Sequence, residues 1–143
     1  MAETDSAAAL AKLRALIETW PETSEKLSHG MPMWWGGRKT FACFHDGSYD
    51  EGRFAVWIKA PDGAQEALVA ADPVRFYRPK YLGPSGWVAL RLQGTVDWDE
   101  VRHLLLQGYR MVAPKRRFLN SSRHGTVRFK RGVKSGKLDL LRF

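Results

Sequence analysis

The sequence predicts an α+β fold, a two-layer sandwich with a mainly antiparallel sheet and helices packed on one face. Three observations predict it. Apolar residues recur at steps of three and four near the N-terminus and again after Asp97, which is the period of a helix with one buried stripe. The stretches "RFAVWIKA" (53–60) and "GWVALRL" (86–92) alternate cleanly, as half-buried strands do. The resulting order, helix, hairpin, strand, helix, two strands, helix, is that of a sheet with its helices gathered into a second layer.

Thr4 or Asp5 can cap the first helix, whose stripe is Leu10, Leu13, Ile17 and Trp20, and Pro21 ends it. "HGMPMWWGGRKTFA" (29–42) reads as a hairpin with Gly36-Gly37 or Gly37-Arg38 as a two-residue loop. Neighbouring strand residues point to opposite faces, so the two tryptophans must part. In either register Trp34 shares a face with Phe41 and Cys43 and is expected in the core. Trp35 falls with Arg38, Thr40 and Ala42 on the other face, where Met31, Met33 and Phe44 also lie. In 53–60, Phe54, Val56, Ile58 and Ala60 point inward, and Arg53, Ala55, Trp57 and Lys59 point outward.

A short helix is expected over about 62–71. Prolines 73, 79 and 84 in "PVRFYRPKYLGPSG" (73–86) suit an edge strand followed by a loop. In 86–92, Val88, Leu90 and Leu92 face inward, with Trp87, Ala89 and Arg91 opposite. Asp97 and Glu100 form a capping box for the last helix, which buries Trp98, Val101, Leu105 and Val112 and closes at Pro114.

A chain of 143 residues with 44% apolar residues and six tryptophans is large enough for one domain with its own core. The expected division is an α+β domain over 1–118 and a basic C-terminal tail over 119–143. The single cysteine, Cys43, allows no internal disulfide and fits a reducing compartment. The N-terminal stretch lacks the pattern of a signal peptide, and no apolar run approaches the ~18 residues of a membrane span. The expectation is a soluble, cytoplasmic monomer without a membrane partner.

Charge is concentrated at one end of the chain. Residues 1–113 hold 13 Lys and Arg against 14 Asp and Glu, a balance of −1, whereas residues 114–143 hold 10 against the single Asp139, a balance of +9. Such asymmetry points to an anionic partner.

Three groups of residues are candidates for contact. Trp35, Trp57 and Trp87, with Arg38, Arg53, Lys59 and Arg91 beside them, would form an aromatic face for stacking or for a ligand, unless other elements cover the rings. "RFYRPKY" (75–81) interleaves Arg75, Arg78 and Lys80 with aromatic residues on an accessible edge. Beyond Pro114, Lys115, Arg116 and Arg117 open a basic arm able to supply salt-sensitive, sequence-independent affinity. Chemistry, in contrast, has no visible carrier. The four histidines and Cys43 show no metal-ligand spacing, and no phosphate-binding loop or nucleophile motif occurs. The reading is a non-enzymatic protein with no metal or cofactor.

The succession "GMPMWWGGRKTFA", a strand ending at Lys59 and running into a helix, "GWVALRL" and "VDWDEVRHLLLQGYRMVAPKR" resembles the MmcQ/YjbR family over roughly residues 8–118. The resemblance implies a compact α+β fold of the kind called double-wing DNA-binding-like. It also implies DNA binding, an assignment that itself leans on fold analogy. Lys39, Lys59, Trp87 and Tyr109 fall where the family pattern repeats such residues. Gly36 stands at a valine-like position and Arg38 at a family glycine, and the tail has no counterpart in the family. The resulting expectation is a DNA-binding or DNA-associated protein. It would contact backbone phosphates through Arg38, Lys39, Lys59, Arg75, Arg78, Lys80 and the arm. The alternative is a small-ligand or protein-interaction module using the tryptophan face.

Overall fold

A computed structural model describes residues 5–48 and 50–114. The Asp5 side chain accepts the Ala8 N–H at 2.7 Å and so caps helix α1 (Ser6–Ile17), which buries Ala9, Leu13 and Ile17. Strands β1 (Thr23–Ser28), β2 (Met31–Gly36), β3 (Lys39–His45) and β4 (Ala55–Ile58) follow. Helix α2 (Ala64–Ala71), a two-residue strand β5 (Phe76–Tyr77), a 3-10 turn at Gly83–Ser85, strand β6 (Val88–Arg91) and helix α3 (Trp98–Val112) complete the order. The six strands form one antiparallel sheet in the order β1-β2-β3-β4-β6-β5, so the fold is α+β as expected.

The β1 strand was not foreseen. Its residues Thr-Ser-Glu-Lys-Leu-Ser carry no apolar alternation because it is an edge strand, mostly solvated. Only the His29-Gly30 turn, with φ of 53° and 81°, marks it as half of a hairpin.

The β2–β3 loop is Gly37-Arg38, with φ of +71° at Gly37, the left-handed conformation that a glycine at this position of a tight hairpin supplies. A bulge then changes the parity on which the hairpin reading rested. Trp35 pairs with Thr40 but Trp34 pairs with Ala42, so Phe41 is an extra residue on β3. Phe41 and Ala42 both reach the main core with Trp34, Phe44 follows them there, and Cys43 moves to the opposite face. The expected grouping of Cys43 with Trp34, and of Ala42 and Phe44 with Trp35, is therefore reversed. Trp34 lies in the core as expected, with its indole N–H donating to Glu25 at 3.1 Å.

The main core lies between the sheet and α1 and α3. It holds Leu13, Ile17, Trp34, Phe41, Val56, Ile58, Leu90, Leu92, Val101, Leu105 and Tyr109. Tyr109 ties three elements together: its hydroxyl donates to the Pro21 carbonyl at 2.6 Å, and its ring lies 5.3 Å from Trp20 and 5.6 Å from Phe41. Asp97 caps α3 as expected, accepting the Asp99 and Glu100 N–H groups. The Glu100 carboxylate accepts from Arg75. The boundary expected at residue 118 lies outside the described residues. Among those residues, no helix is long and apolar enough to cross a membrane.

Candidate functional site

Antiparallel pairing sets one row of side chains across all six strands: Lys26, Met33, Cys43, Trp57, Ala89 and Tyr77. Paired residues share a face, and this row lies on the face away from the main core. The small Ala89 lets its flanking partners meet, so the Trp57 indole N–H donates to the Tyr77 hydroxyl at 3.1 Å. Burial pushes the Tyr77 pKa up. Cys43, Ala55, Trp57, Trp87 and Ala89 form a second, smaller core, with Met31, Met33, Tyr77 and Leu82 packed against it.

The three tryptophans expected to share one face, available for contact unless other elements cover the rings, are treated differently by the fold. Trp57 and Trp87 are 5% and 4% exposed. Trp35 is half-buried, with the Lys26 ammonium 5.1 Å from its ring centroid. The second face is thus covered over Trp57 and Trp87, and the segment after β5 contributes to the cover. Gln65 on α2, itself buried, donates through one amide nitrogen to the carbonyls of Gly83 and Trp87 and clips that segment to the sheet. Sequence reasoning passed over Gln65, because a lone glutamine in a short polar helix gives no signal of burial.

At the opposite margin of this face the β3–β4 loop is held just as firmly. The His45 ring stacks on Trp57 at 4.6 Å and 6° between planes, and its Nδ1 accepts the Gly47 N–H at 3.2 Å. That bond requires a lone pair on Nδ1, so the proton of the neutral ring sits on Nε2. Burial lowers the His45 pKa, against the pull of Asp46 and Asp50. Gly47 admits no side chain, since a Cβ there would stand 2.4 Å from the Gly52 backbone. Asp50 then accepts from Arg91 at 2.7 Å and Arg53 at 2.9 Å. Burial alone would raise its pKa, but these two guanidiniums hold it below the usual carboxylate range.

Between the covering segment and this loop lies a cavity of about 610 Å³ whose lining includes Met31, Met33, Cys43, His45, Trp57 and Leu82. Burial raises the Cys43 thiol to about 11, so it is protonated at neutral pH and acts as a small apolar group. Among the described residues, no group of three His, Cys, Asp or Glu side chains could hold a metal ion.

Apart from helix and β1 residues such as Arg14, Glu25 and Lys26, the charged residues gather at the two ends of the sheet. At one end lie the Gly37-Arg38 turn, Lys39 opening β3, Lys59 following β4 and Arg78 following β5, brought together by the antiparallel registers, while Lys80 lies further along the segment, next to the cavity-lining Tyr81 and Leu82. The last turn of α3 reaches the same end: a Cβ on Gly36 would stand 3.0 Å from Val112 Cγ2. Glu22 and Asp62 are its acidic neighbours. At the other end stand Asp46, Asp50, Glu51, Asp72, Asp97, Asp99 and Glu100, and there Arg53, Arg75 and Arg91 are ion-paired.

Arg75 therefore stands apart from the other basic candidates. Its Nε donates to Asp72 and its two terminal nitrogens to Glu100, and its pKa is raised, chiefly by the Glu100 hydrogen bond. Arg38, Lys39, Lys59 and Arg78 join no ion pair among the described residues. Lys115, Arg116 and Arg117 lie outside those residues.

An antiparallel six-stranded sheet with helices on its main core face and a second small core on the other defines the class: an α+β domain built around a sheet polarised from end to end. A profile of the YjbR family matches residues 18–111, and the chain belongs to that family. A crystal structure of the Deinococcus radiodurans protein DR2400, a DUF419 domain, is similar in fold. Its TM-score is 0.60 at 18% identity, over 71% of this chain and 76% of that one. No curated protein matches the chain.

Proposed function

We propose that this YjbR-family protein is a non-enzymatic DNA-binding protein that grips the phosphate backbone with the basic end of its sheet. The observation that carries the reading is the polarisation itself. A body whose formal charges nearly cancel gathers Arg38, Lys39, Lys59 and Arg78 at one end, with Lys80 further along the segment that leaves it, and α3 finishes at that same end. The segment 115–143, with ten basic residues against one acidic, follows α3 directly in sequence and adds sequence-independent grip through Lys115, Arg116, Arg117 and their successors. Phosphate contacts position a protein without reading bases, so the expected affinity is largely indifferent to sequence. Arg75, committed to Asp72 and Glu100, is not part of this surface.

The test is fluorescence anisotropy of labelled duplex and single-stranded oligonucleotides titrated with the full-length protein at low and at physiological salt. The reading expects micromolar or tighter binding that weakens steeply as salt rises. It also expects Arg38, Lys39, Arg78 and Lys80 changed together to alanine to weaken binding evenly across sequences. Absence of binding at low salt would overturn it.

A further inference from the structure

We propose that the cavity on the second face of the sheet is a binding site for an uncharged, planar aromatic small molecule. The proposal is independent of the nucleic-acid reading, because it uses the opposite chemistry at a different place. Its floor is sheet: Met31, Met33, Cys43 and Trp57 belong to three adjacent hydrogen-bonded strands, so their positions are set by register rather than by a loop. Its volume of about 610 Å³ falls within the ~300–1,000 Å³ typical of small-molecule sites.

Charge fixes the ligand class. No lysine, arginine, aspartate or glutamate is among the described residues lining the cavity, although such residues stand close by around Asp50 and Arg91. An ionised ligand would meet no carboxylate, ammonium or guanidinium among those residues, only the imidazoles of His29 and His45, and burying its charge in a largely apolar site without a fixed partner is unfavourable. The Cys43 thiol, protonated at neutral pH, adds no charge either.

Shape fixes the rest. The parallel stack of His45 on Trp57 provides a rigid flat wall whose two rings are each held by a hydrogen bond, Gly47 N–H to His45 Nδ1 and Trp57 Nε1–H to the Tyr77 hydroxyl. The thioethers of Met31 and Met33 are soft, polarisable surfaces that pack well against ring edges. A second, independent mark lies at the rim. Tyr81 lines the cavity, is 74% exposed, and has a φ of 67° outside any hairpin turn. A tyrosine in the left-handed region is strained, and such strain clusters at ligand-binding sites.

The test uses the full-length protein with 13C-labelled methionine methyl groups. The probes are neutral N-phenyl-1-naphthylamine and its sulfonated analogue 8-anilinonaphthalene-1-sulfonate, which share ring systems but differ in charge. The neutral probe is expected to shift the Met31 and Met33 methyl resonances saturably and leave Met111, an exposed α3 residue outside the cavity lining, in place. The sulfonate is expected to bind about tenfold or more weakly. Unmoved Met31 and Met33 resonances, an equal shift at Met111, or equal affinity for the two probes would overturn the proposal. As a second variable, Met33→Glu is expected to weaken the neutral probe about tenfold or more at an unchanged circular dichroism spectrum. Should that variant fail to fold, the methyl shifts decide alone.

Discussion

Replacing Gly108 by alanine sets two known effects against each other, and the structure decides which wins. In an exposed helix interior the change would stabilise by roughly 1 kcal/mol, through helix propensity. Gly108, however, is where α3 touches the sheet. An added Cβ would stand 2.7 Å from the Lys59 carbonyl oxygen, 3.1 Å from Ile58 Cγ2 and 3.5 Å from the Phe41 carbonyl oxygen. The nearest of these is backbone and cannot swing aside, because the Lys59 N–H is itself bonded to the Phe41 carbonyl at 2.9 Å. Relief must come from moving α3 off the sheet, which loosens Leu105 and Tyr109 in the main core. Overpacking of this kind costs about 1–3 kcal/mol, and a rigid obstacle places it toward the upper end. After the propensity gain, Gly108→Ala is expected to be net destabilising by about 1–2 kcal/mol. Urea unfolding followed by tryptophan fluorescence measures it, as a lower midpoint at constant slope. Gln107→Ala, one residue away and exposed, serves as the control and should lie within about 0.5 kcal/mol of wild type. A Gly108→Ala protein as stable as wild type or more so would refute the close-approach argument.

Gln65→Ala removes the one donor shared by the Gly83 and Trp87 carbonyls, and is expected to destabilise by about 2 kcal/mol or more, seen in the same urea titration. Tyr109→Phe keeps the ring contacts with Trp20 and Phe41 and loses the hydroxyl's bond to Pro21, so a loss of about 1 kcal/mol is expected with little change in the emission spectrum. His45 gives a pH signature. Its folded pKa lies below that of the unfolded chain, so as pH falls below about 6.5 the unfolded state takes up the proton first. Its stabilising contribution is therefore complete above that value and is lost as pH falls through the folded pKa. His45→Phe, which retains a ring against Trp57, should flatten the urea midpoint between pH 7.5 and 5.5, and an unchanged slope would exclude this source.

The parts of the fold that were legible in the sequence are those where burial imposes a period. The α3 stripe and the alternation around Val56 and Leu90 follow from that rule, whereas the edge position of Phe76–Tyr77 followed from the prolines around it. The bulge at Phe41 was invisible because the run Phe41-Ala42-Cys43-Phe44 is apolar throughout and either parity reads as a strand. It moved Cys43 from the main core to the cavity floor, and with it the composition of the second face. β1 was missed for the opposite reason: solvated on both sides, it has no pattern to read. The basic residues were all visible as residues. Their grouping was not, since only the strand registers bring Arg38, Lys59 and Arg78 to one end and send Arg75 to the other. The clip made by Gln65 and the stack of His45 on Trp57 depend on contacts 18 or 22 and 12 residues apart, which no local pattern encodes.

The nucleic-acid reading is tested most directly by the slope of log affinity against log salt for a labelled duplex, compared between the wild-type protein and the triple variant Lys115→Ala, Arg116→Ala, Arg117→Ala. Each phosphate neutralised contributes about 0.9 to that slope for duplex DNA. If all three side chains contact phosphates, the slope falls by about 2.7 in magnitude, with affinity reduced evenly across unrelated sequences. Salt-independent binding by the wild-type protein, or the same slope in both proteins together with no effect of removing Arg38, Lys39, Arg78 and Lys80, would contradict the account.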